Sequence, residues 1–442
     1  MARLPVLFNI LLLTTVLIPP AVFIIKNRVP RYAVAAQYCL SGLVTGLSGI
    51  LAARYITVSF RVLRRVFENG HVTAFDLIGN FTATASLQGP YVRGGVLNTT
   101  PGLSLPPVFA FFSLLMRIFG DEYAVFEARY RTMLILCGLL TLGCLVIYTL
   151  RHTSGGESPL PSGKANVNRP TSFAGAWGAA AIVLLVFVLA AYRDWLAGNT
   201  ALIVTLLVLV QIMLADWDSK ISPYLQGFLI CAAFILKPNI ILVPLFFVVF
   251  SFRQRKYEYL AGLIGGCAVF FFLSLLSPII ELSNYRTFVF ETSRTIQTLQ
   301  LGNTGNLSLE RIGLLQPVGG LISKMLLLLM AAVIVFFAGR SDDLVRQEIP
   351  CLLATVIPWP IFWSIYLSWV AVAVWIWILM KLKEGEGVYL ETLSALLLSW
   401  YGIMYPNPLA ANLILLFLLL LFFKKPIGKY VPRLVSFNPK IS

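Results

Sequence analysis

The sequence predicts an all-α, polytopic membrane protein, and three observations carry that prediction. Of its 442 residues, 58% are hydrophobic and only 12% are charged. The mean hydropathy is +0.84, which is typical of chains that span membranes several times. Apolar runs recur from residue 6 to residue 423, and no polar stretch between them is long enough to form a second, soluble domain. We therefore expect a single transmembrane domain over residues 1–442.

The apolar runs give about 12 to 13 transmembrane helices at the length that a bilayer requires. The first 25 residues lack a signal-peptide cleavage site, so we expect a retained first helix. Segment 104–119 opens with Pro106-Pro107 and is expected to lie at the membrane interface rather than cross. The candidate spans are residues 6–25, 33–53, 132–150, 171–191, 198–214, 223–236, 239–251, 258–280, 317–338, 349–364, 366–381, 388–404 and 409–423.

The net charge of +15 indicates topology rather than nucleic-acid binding, because the basic residues are scattered at helix ends. Placing the basic clusters 253–256 and 424–433 on the cytoplasmic side puts Lys237 on the outside. The long loops 54–131 and 281–316 then lie outside as well. We expect a multi-pass protein of the cell membrane, in contact with anionic lipid, with its functional residues on the extracytoplasmic face.

Lys237-Pro238 interrupts some thirty apolar residues and predicts a broken helix. A charge is expensive in hydrocarbon, and proline removes a backbone donor. Residues 223–236 rise only about 21 Å as a helix, short of the roughly 30 Å hydrocarbon core. Two short helices meeting at Lys237 are therefore expected. Because broken helices are tolerated where they line a cavity, we expect Lys237 to face one.

Asp76 lies in an apolar stretch at the start of the first long loop. A half-desolvated carboxylate has a raised pKa and is suited to accept a proton, although aspartate before a helix is also an ordinary N-cap. The sequence alone leaves both interpretations open. An acid and a buried base on the same face favour one shared cavity.

Other polar residues near this face have two interpretations each. Arg193 and Asp194 are either a juxtamembrane ion pair or part of the site, next to the helix start at Gly198-Asn199. Asn306 either caps a short helix over 308–315 or contacts a sugar or phosphate. The aromatic residues between 359 and 377 form either an interfacial belt or a wall against the substrate.

Several classes of function are excluded. The sequence has no Walker loop, Rossmann fingerprint, GxSxG elbow or zinc motif, which argues against nucleotide hydrolysis. Its six cysteines have no metal-binding spacing, and two histidines are too few for a histidine-built site. No cofactor is expected, and these residues do not require a metal ion, although the sequence leaves one open. We expect a monomer.

The motifs together resemble those of glycosyltransferase family 87, of the GT-C superfamily. GNTALIVTLLVLVQIMLADWDSKISPYLQGFLICAAFILKPN is similar to the family's core, in which a Gly-Asn helix start is followed by a helix ending in Leu-Lys-Pro. FDLIGNFTATASLQGPY looks like its first-loop segment, LSLPPVFAFFSLL like its Pro-Pro segment and GNLSLERIG like its later Asn-x-Ser region. The likeness covers most of residues 70–370.

The resemblance implies a sugar transfer from a polyprenyl phosphate to a lipid-linked or glycan acceptor, as in the mannosyltransferases of this family. It implies that Asp76 is the catalytic base and that Lys237 lies beside the donor phosphate. A leaving phosphate needs positive charge, which Lys237 and Arg193 are expected to supply. Asn80 and Tyr366 stand where the family has tyrosine and histidine. The rival interpretation is a transporter or flippase of polyprenyl-linked sugars, for which no internal repeat is visible. The residues expected to contact substrate are Asn80, Asp194, Asn199, Asn306 and Tyr366.

Overall fold

The computed structural model describes most of the chain between residues 75 and 435. Most of the predicted spans 6–25 and 33–53, Asn306, half of the loop 54–131 and most of the loop 281–316 lie outside the described residues. The described residues are 75–85, 105–154, 173–277, 279–287, 307–309, 312, 318–357, 364–384, 386–404 and 406–435, with 20, 21, 23, 24, 42, 46, 49, 50, 53 and 57.

Helices account for all the regular structure of the described residues, which confirms the predicted all-α class. Two 3₁₀ turns, Pro238–Ile240 and Ser364–Tyr366, and a π-helical segment, Trp400–Met404, interrupt the α-helices. The α-helices are α1 Phe75–Ala85, α2 Pro106–Phe119, α3 Tyr123–Ser154, α4 Phe173–Ala197, α5 Ala201–Leu214, α6 Ser222–Leu236, α7 Leu242–Gln254, α8 Tyr257–Leu275, α9 Leu282–Thr287, α10 Gly319–Phe337, α11 Leu344–Ala354, α12 Leu367–Lys383, α13 Tyr389–Ser399 and α14 Pro408–Val435.

Helix α12 forms the centre of the bundle. Every residue from Leu367 to Leu379 is buried, against α4, α5 and α11. By contrast, α8 and α10 are apolar but mostly exposed, as expected for helices that face lipid. Four described helices, α3, α8, α10 and α12, are long and apolar enough to cross a bilayer, and shorter apolar helices accompany them. This architecture confirms a polytopic helical membrane protein.

One end of the bundle, called the Lys237 end, is formed where α3, α5 and α7 begin and α4, α6 and α8 end. Two of its hydrogen bonds join α3 to the end of α4 and to the α4–α5 connection. Arg131 Nη1 of α3 donates to the Trp195 carbonyl in the last turn of α4 at 2.9 Å. The Tyr130 hydroxyl donates to the Asn199 carbonyl at 3.4 Å. The start of α3 is thereby fixed against the α4–α5 connection.

The opposite end, called the basic end, carries arginine and lysine side chains at the helix termini. Arg253 Nη1 of α7 donates to the Ala338 carbonyl after α10 at 2.9 Å. Arg346 of α11 pairs with Glu384 after α12 at 2.7 Å. Lys237 and Arg253 therefore lie at opposite ends of α7, as the charge pattern predicted.

Helix α11 differs from the predicted span 349–364, because it begins at Leu344 and ends at Ala354. Asp343 caps it, with its Oδ1 accepting the Arg346 N–H at 3.0 Å. A hydropathy pattern misses this start because the first turns contain Arg346 and Glu348. The capping bond outweighs the low apolar content there.

Helix α2 packs at the Lys237 end of the bundle. Near its start, Phe109 packs with Ile280, which follows α8. At its end, Phe119 contacts the Phe126 ring at the beginning of α3, with centroids 6.0 Å apart. Both ends of the helix therefore meet elements of the same end of the bundle.

Candidate active site

The Lys237 turn is the break that the sequence predicts. Helix α6 ends at Leu236, a 3₁₀ turn covers Pro238–Ile240, and α7 begins at Leu242. Lys237 has an extended backbone (φ −143°, ψ 92°), and its N–H donates to the Ala233 carbonyl at 2.9 Å. Pro238 cannot supply an N–H to continue the helix, so the chain turns. The prediction of two short helices meeting at Lys237 is confirmed.

The side chain of Lys237 is half-buried and lies over an aromatic platform. Its Nζ is 5.6 Å from the centroid of the Tyr366 ring. Tyr366 in turn stacks on Trp369, with centroids 4.9 Å apart and planes at 18°. A cation over an aromatic face is attracted by the ring quadrupole. Lys237 is thus a cation held at a defined place at this end of the bundle.

Two buried hydroxyls hold the backbone turns that carry this pair. Thr355 Oγ1, after α11, donates to the Asn239 carbonyl at 2.6 Å. Ser368 Oγ donates to the Ile365 carbonyl at 2.9 Å and lies 2.7 Å from Thr205 Oγ1 of α5. The Lys237 turn is therefore fastened to α11, and the Ser364–Tyr366 turn is fastened through α12 to α5.

Arg193, near the end of α4, reaches a distorted segment of the chain. Its Nη2 donates to the Ile403 carbonyl at 3.2 Å, within the π-helical segment Trp400–Met404. A Cβ at Gly402 would overlap Leu367 Cδ1, so a larger residue there would displace that leucine side chain. π-Helical segments are rare and occur frequently at functional sites. Arg193 therefore reaches the π-helical segment, in which Gly402 lies beside Leu367 at the start of α12.

Leu307, which follows the predicted site residue Asn306, lies at the same π-helical segment. The Leu307 carbonyl accepts a hydrogen bond from Asn412 Nδ2 of α14 at 2.8 Å. A Cβ built at Gly402 would lie 3.6 Å from Leu307 Cδ1. Asn306 itself is outside the described residues, but its neighbour lies against the π-helical segment that Arg193 contacts.

Asp194 and Asn199 meet the beginning of α5. Asp194 is fully buried, and its Oδ2 accepts the Leu202 N–H at 2.6 Å. Asn199 Oδ1 accepts the Ala201 N–H at 3.1 Å. The chain turns between them at Gly198, whose φ of 65° favours glycine. Both side chains therefore act as caps for otherwise unpaired N–H groups at the start of a helix. The ion-pair interpretation overlooked the Ile403 carbonyl, to which Arg193 donates, and the Leu202 N–H, which donates to Asp194.

This capping gives a prediction for Asp194. Asp194→Ala removes the acceptor for the buried Leu202 N–H and is expected to destabilise the protein by about 0.5–2 kcal/mol, the range for lost N-caps. Asp194→Asn keeps an amide oxygen at that place and is expected to stay close to wild type. Thermal unfolding of the purified protein measures both. Equal midpoints for the alanine variant and the wild type would contradict the capping role.

The structure puts Asp76 in the first turn of α1, as its second residue. Helix α1 packs against α2 and against the beginning of α3, where Phe81 meets Tyr123 and Phe126 with ring centroids 5.2 and 5.1 Å apart. Asp76 thus belongs to an element at the Lys237 end. Its side chain lies outside the described part of the chain. Asn80, one turn later, is half-buried.

The sequence analysis missed the buried hydroxyls and the π-helical segment. The available sequence signal for the π-helical segment was Gly402, which lies between bulky residues of the predicted span 388–404. Hydroxyls such as Thr355 give no signal, because threonine is common in apolar helices. Among the described residues no three His, Cys, Asp or Glu side chains come together to hold a metal ion. The arrangement offers fixed positive charge beside aromatic faces, which suits an anionic, partly apolar ligand.

Comparison with known proteins identifies the family. A family model, Glycosyltransferase family 87, matches residues 105–357, more than half of the chain. The match includes Arg193 and Lys237, whereas Asp76 and Tyr366 lie outside it. Searches of curated proteins and of solved structures gave no significant match. The chain belongs to glycosyltransferase family 87 and is a membrane glycosyltransferase.

Proposed function

We propose that this glycosyltransferase transfers mannose, or another hexose or pentose, from a polyprenyl phosphate to a lipid-linked or glycan acceptor. The observation that carries the proposal is Lys237, a cation held at a helix break among apolar helices. A polyprenyl-phosphate donor combines an apolar chain, which stays in the bilayer, with a phosphate that needs a positive partner. Lys237 over Tyr366 meets both requirements at one place.

The proposed reaction is a single displacement with inversion. Asp76 accepts the proton of an acceptor hydroxyl, whose oxygen attacks the anomeric carbon of the donor sugar. The bond from that carbon to the phosphate oxygen breaks, and polyprenyl phosphate leaves with the bonding electrons. Positive charge fixed beside the leaving phosphate lowers the barrier, since the negative charge develops there. Lys237 and Arg193 supply this charge, and the chemistry uses no cofactor.

The remaining polar residues are proposed to orient the substrates. Tyr366 is buried between Trp369 and the Lys237 ammonium group and is proposed to hold that cation beside the substrate. The contacts to Asn80 and Asn306 would come from the two loop regions that approach the Lys237 end. The proposed substrate contacts are Asn80, Asn199, Asn306 and Tyr366, whereas Asp194 serves as a buried cap of α5.

We further propose that the Lys237 end faces the extracytoplasmic side of the cell membrane and that the basic end faces the cytoplasm. The excess of arginine and lysine at the basic end supports this orientation. Cysteines introduced at Gln88 and Gln300 are expected to react with a membrane-impermeant maleimide added from outside intact cells. Opposite sidedness of the two positions would contradict a shared site.

A transfer assay tests the proposed function. The purified protein in proteoliposomes, given a radiolabelled polyprenyl-phosphate sugar and membrane lipid extract, is expected to move the label to a new product and release polyprenyl phosphate. Label that crosses the bilayer still attached to its original lipid would identify a flippase instead. The stereochemistry of the product decides between inversion and retention.

A further inference from the structure

A buried hydroxyl at the end of helix α11 contacts the Lys237 turn. Thr355 follows Ala354, the last residue of the helix, and is fully buried. Its Oγ1 donates to the Asn239 carbonyl at 2.6 Å. Asn239 lies two residues after Lys237, within the 3₁₀ turn.

The turn itself is closed by 3₁₀ hydrogen bonds. Pro238 donates no hydrogen bond, and two longer bonds close the turn, from Ile240 N–H to the Lys237 carbonyl (3.2 Å) and from Ile241 N–H to the Pro238 carbonyl (3.1 Å). Longer bonds are weaker, and 3₁₀ geometry is poorer than α-helical geometry. The shorter hydrogen bond from Thr355 to the Asn239 carbonyl therefore helps to fix the backbone beside Lys237.

We propose that Thr355 is a positioning residue, which fixes the Lys237 turn against α11 and thereby sets where the ammonium group meets the donor phosphate. This inference rests on the proposed role of Lys237. Thr355 itself acts through the backbone and touches neither substrate nor reacting atoms.

The first test is Thr355→Val, which keeps the shape of the side chain and removes the donated hydrogen bond. The dissociation constant of a radiolabelled polyprenyl-phosphate sugar is expected to rise roughly 3- to 10-fold, the worth of one neutral hydrogen bond. The kcat at saturating donor is expected to fall as well, because the same ammonium group stabilises the charge on the leaving phosphate. Thr355→Ser restores the hydroxyl and is expected to recover wild-type donor affinity.

A double-mutant cycle separates positioning from general destabilisation. If Thr355 acts through Lys237, then Thr355→Val is expected to add no further loss of affinity in a Lys237→Met background. Thr149→Val is the matched control, since Thr149 also makes a buried long-range hydrogen bond, accepting from Trp375 Nε1 at 2.9 Å near the basic end. It is expected to leave donor affinity unchanged.

The outcomes distinguish the two proposals. Unchanged donor affinity in Lys237→Met would overturn the proposed role of the lysine. A loss in Lys237→Met without any loss in Thr355→Val would overturn only the positioning role. Full additivity of the two substitutions, or failure of Thr355→Ser to restore affinity, would overturn it as well.

A second, independent observation concerns Glu348, near the start of the same helix. Glu348 is fully buried, and its Oε2 accepts Gln211 Nε2 of α5 at 3.1 Å. Among the described residues no lysine, arginine or histidine forms an ion pair with it. A buried carboxylate without a cation is costly.

Two acceptor atoms at this contact have no hydrogen-bond partner, Glu348 Oε1 and Gln211 Oε1. The neighbouring donors point elsewhere: Gln226 Nε2 donates to Ser222 Oγ at 3.1 Å, and Ser222 Oγ donates to the Leu214 carbonyl. One proton on Glu348 Oε1, donated to Gln211 Oε1, would satisfy both atoms. Acid and amide would then exchange two hydrogen bonds in a closed ring.

We infer that Glu348 is protonated and forms such a reciprocal acid–amide pair with Gln211, joining α11 to α5. Burial supports this, because it raises the pKa of Glu348 to about 8. The titratable groups that sense its charge are Tyr259 of α8 and Cys351 one turn along, and neither is a cation. Glu348 lies in the second turn of α11, towards the basic end, and α11 is not among the described helices that are long and apolar enough to cross a bilayer.

Infrared difference spectroscopy tests the pair. Wild type minus Glu348→Gln at pH 7 is expected to show the carbonyl band of a protonated carboxyl group, which fades as the pH rises above about 8. The control is Glu391→Gln, because Glu391 is equally buried but pairs with Lys381 Nζ at 2.5 Å. Its difference spectrum is expected to show an ionised carboxylate.

Stability gives a second readout. The Glu348 carboxyl group loses its proton near pH 4.5 in the unfolded chain and near about pH 8 in the folded protein. Wild-type stability therefore falls as the pH rises between these values and levels off above them. Glu348→Gln, which preserves the ring with an amide donor, lacks this fall. A carboxylate band for Glu348 at pH 7, equal pH dependence of both proteins, or failure of Glu348→Gln to fold would each overturn the inference.

Discussion

Asp76→Asn is expected to lower the turnover number by about 100- to 10,000-fold, the usual loss when a general base is removed. Asparagine is nearly the same size and still caps a helix, so expression, thermal stability and donor binding are expected to persist. The expectation rests on an acid in the first turn of α1, which packs at the same end of the bundle as Lys237. Single-turnover transfer of a radiolabelled polyprenyl-phosphate sugar measures the effect on chemistry directly.

The matched control for Asp76 is Asp194→Asn. Asp194 is the nearest competing acid at the Lys237 end, but its carboxylate accepts the Leu202 N–H. An asparagine there can accept the same hydrogen bond, so turnover is expected to remain near wild type. If turnover collapses in Asp194→Asn and persists in Asp76→Asn, the base is Asp194 and the proposed mechanism is misplaced.

Lys237→Met is expected to weaken donor binding by about 10- to 100-fold. Hydrogen bonds to charged groups contribute about 1.5–3 kcal/mol, and each 1.4 kcal/mol changes a dissociation constant tenfold. The fold is expected to survive, because methionine has a similar length and removes a charge from apolar surroundings. Equilibrium binding of a polyprenyl-phosphate sugar to protein in nanodiscs is the measurement.

The control for Lys237 is Lys220→Met, since Lys220 is exposed in the connection between α5 and α6 at the basic end. Removal of that charge is expected to leave donor binding unchanged. If Lys237→Met binds the donor as tightly as the wild type, the lysine serves the structure of the turn and not the substrate.

The break at Lys237-Pro238 could be predicted from the sequence because the cost of proline and of buried charge is local. The contact between Arg193 and Ile403 could not, because it joins residues 210 positions apart. The start of α11 was missed for a different reason. Its cap at Asp343 and its buried Glu348 are polar, and hydropathy counts such residues against a helix even where specific hydrogen bonds favour one.

For the candidate site, too, some features could be predicted from the sequence and others could not. The identities of its residues could be inferred from motif resemblance, and their common end of the bundle from charge topology. That Asp194 and Asn199 cap α5 required the coordinates, since a side chain's partner depends on where the chain turns back. Gly198, with its positive φ, makes that turn.

The central position of α12 has a consequence for biosynthesis. The helix is apolar enough to enter the bilayer by itself, yet in the finished protein it is buried from Leu367 to Leu379. Lipid tails are as apolar as its side chains, so expulsion of water cannot drive this burial. Close packing must do so, aided by the small residues Ala371 and Ala373. Because α4 and α5 precede α12 in the chain, they are synthesised first and are available to pack against α12 when it enters the bilayer.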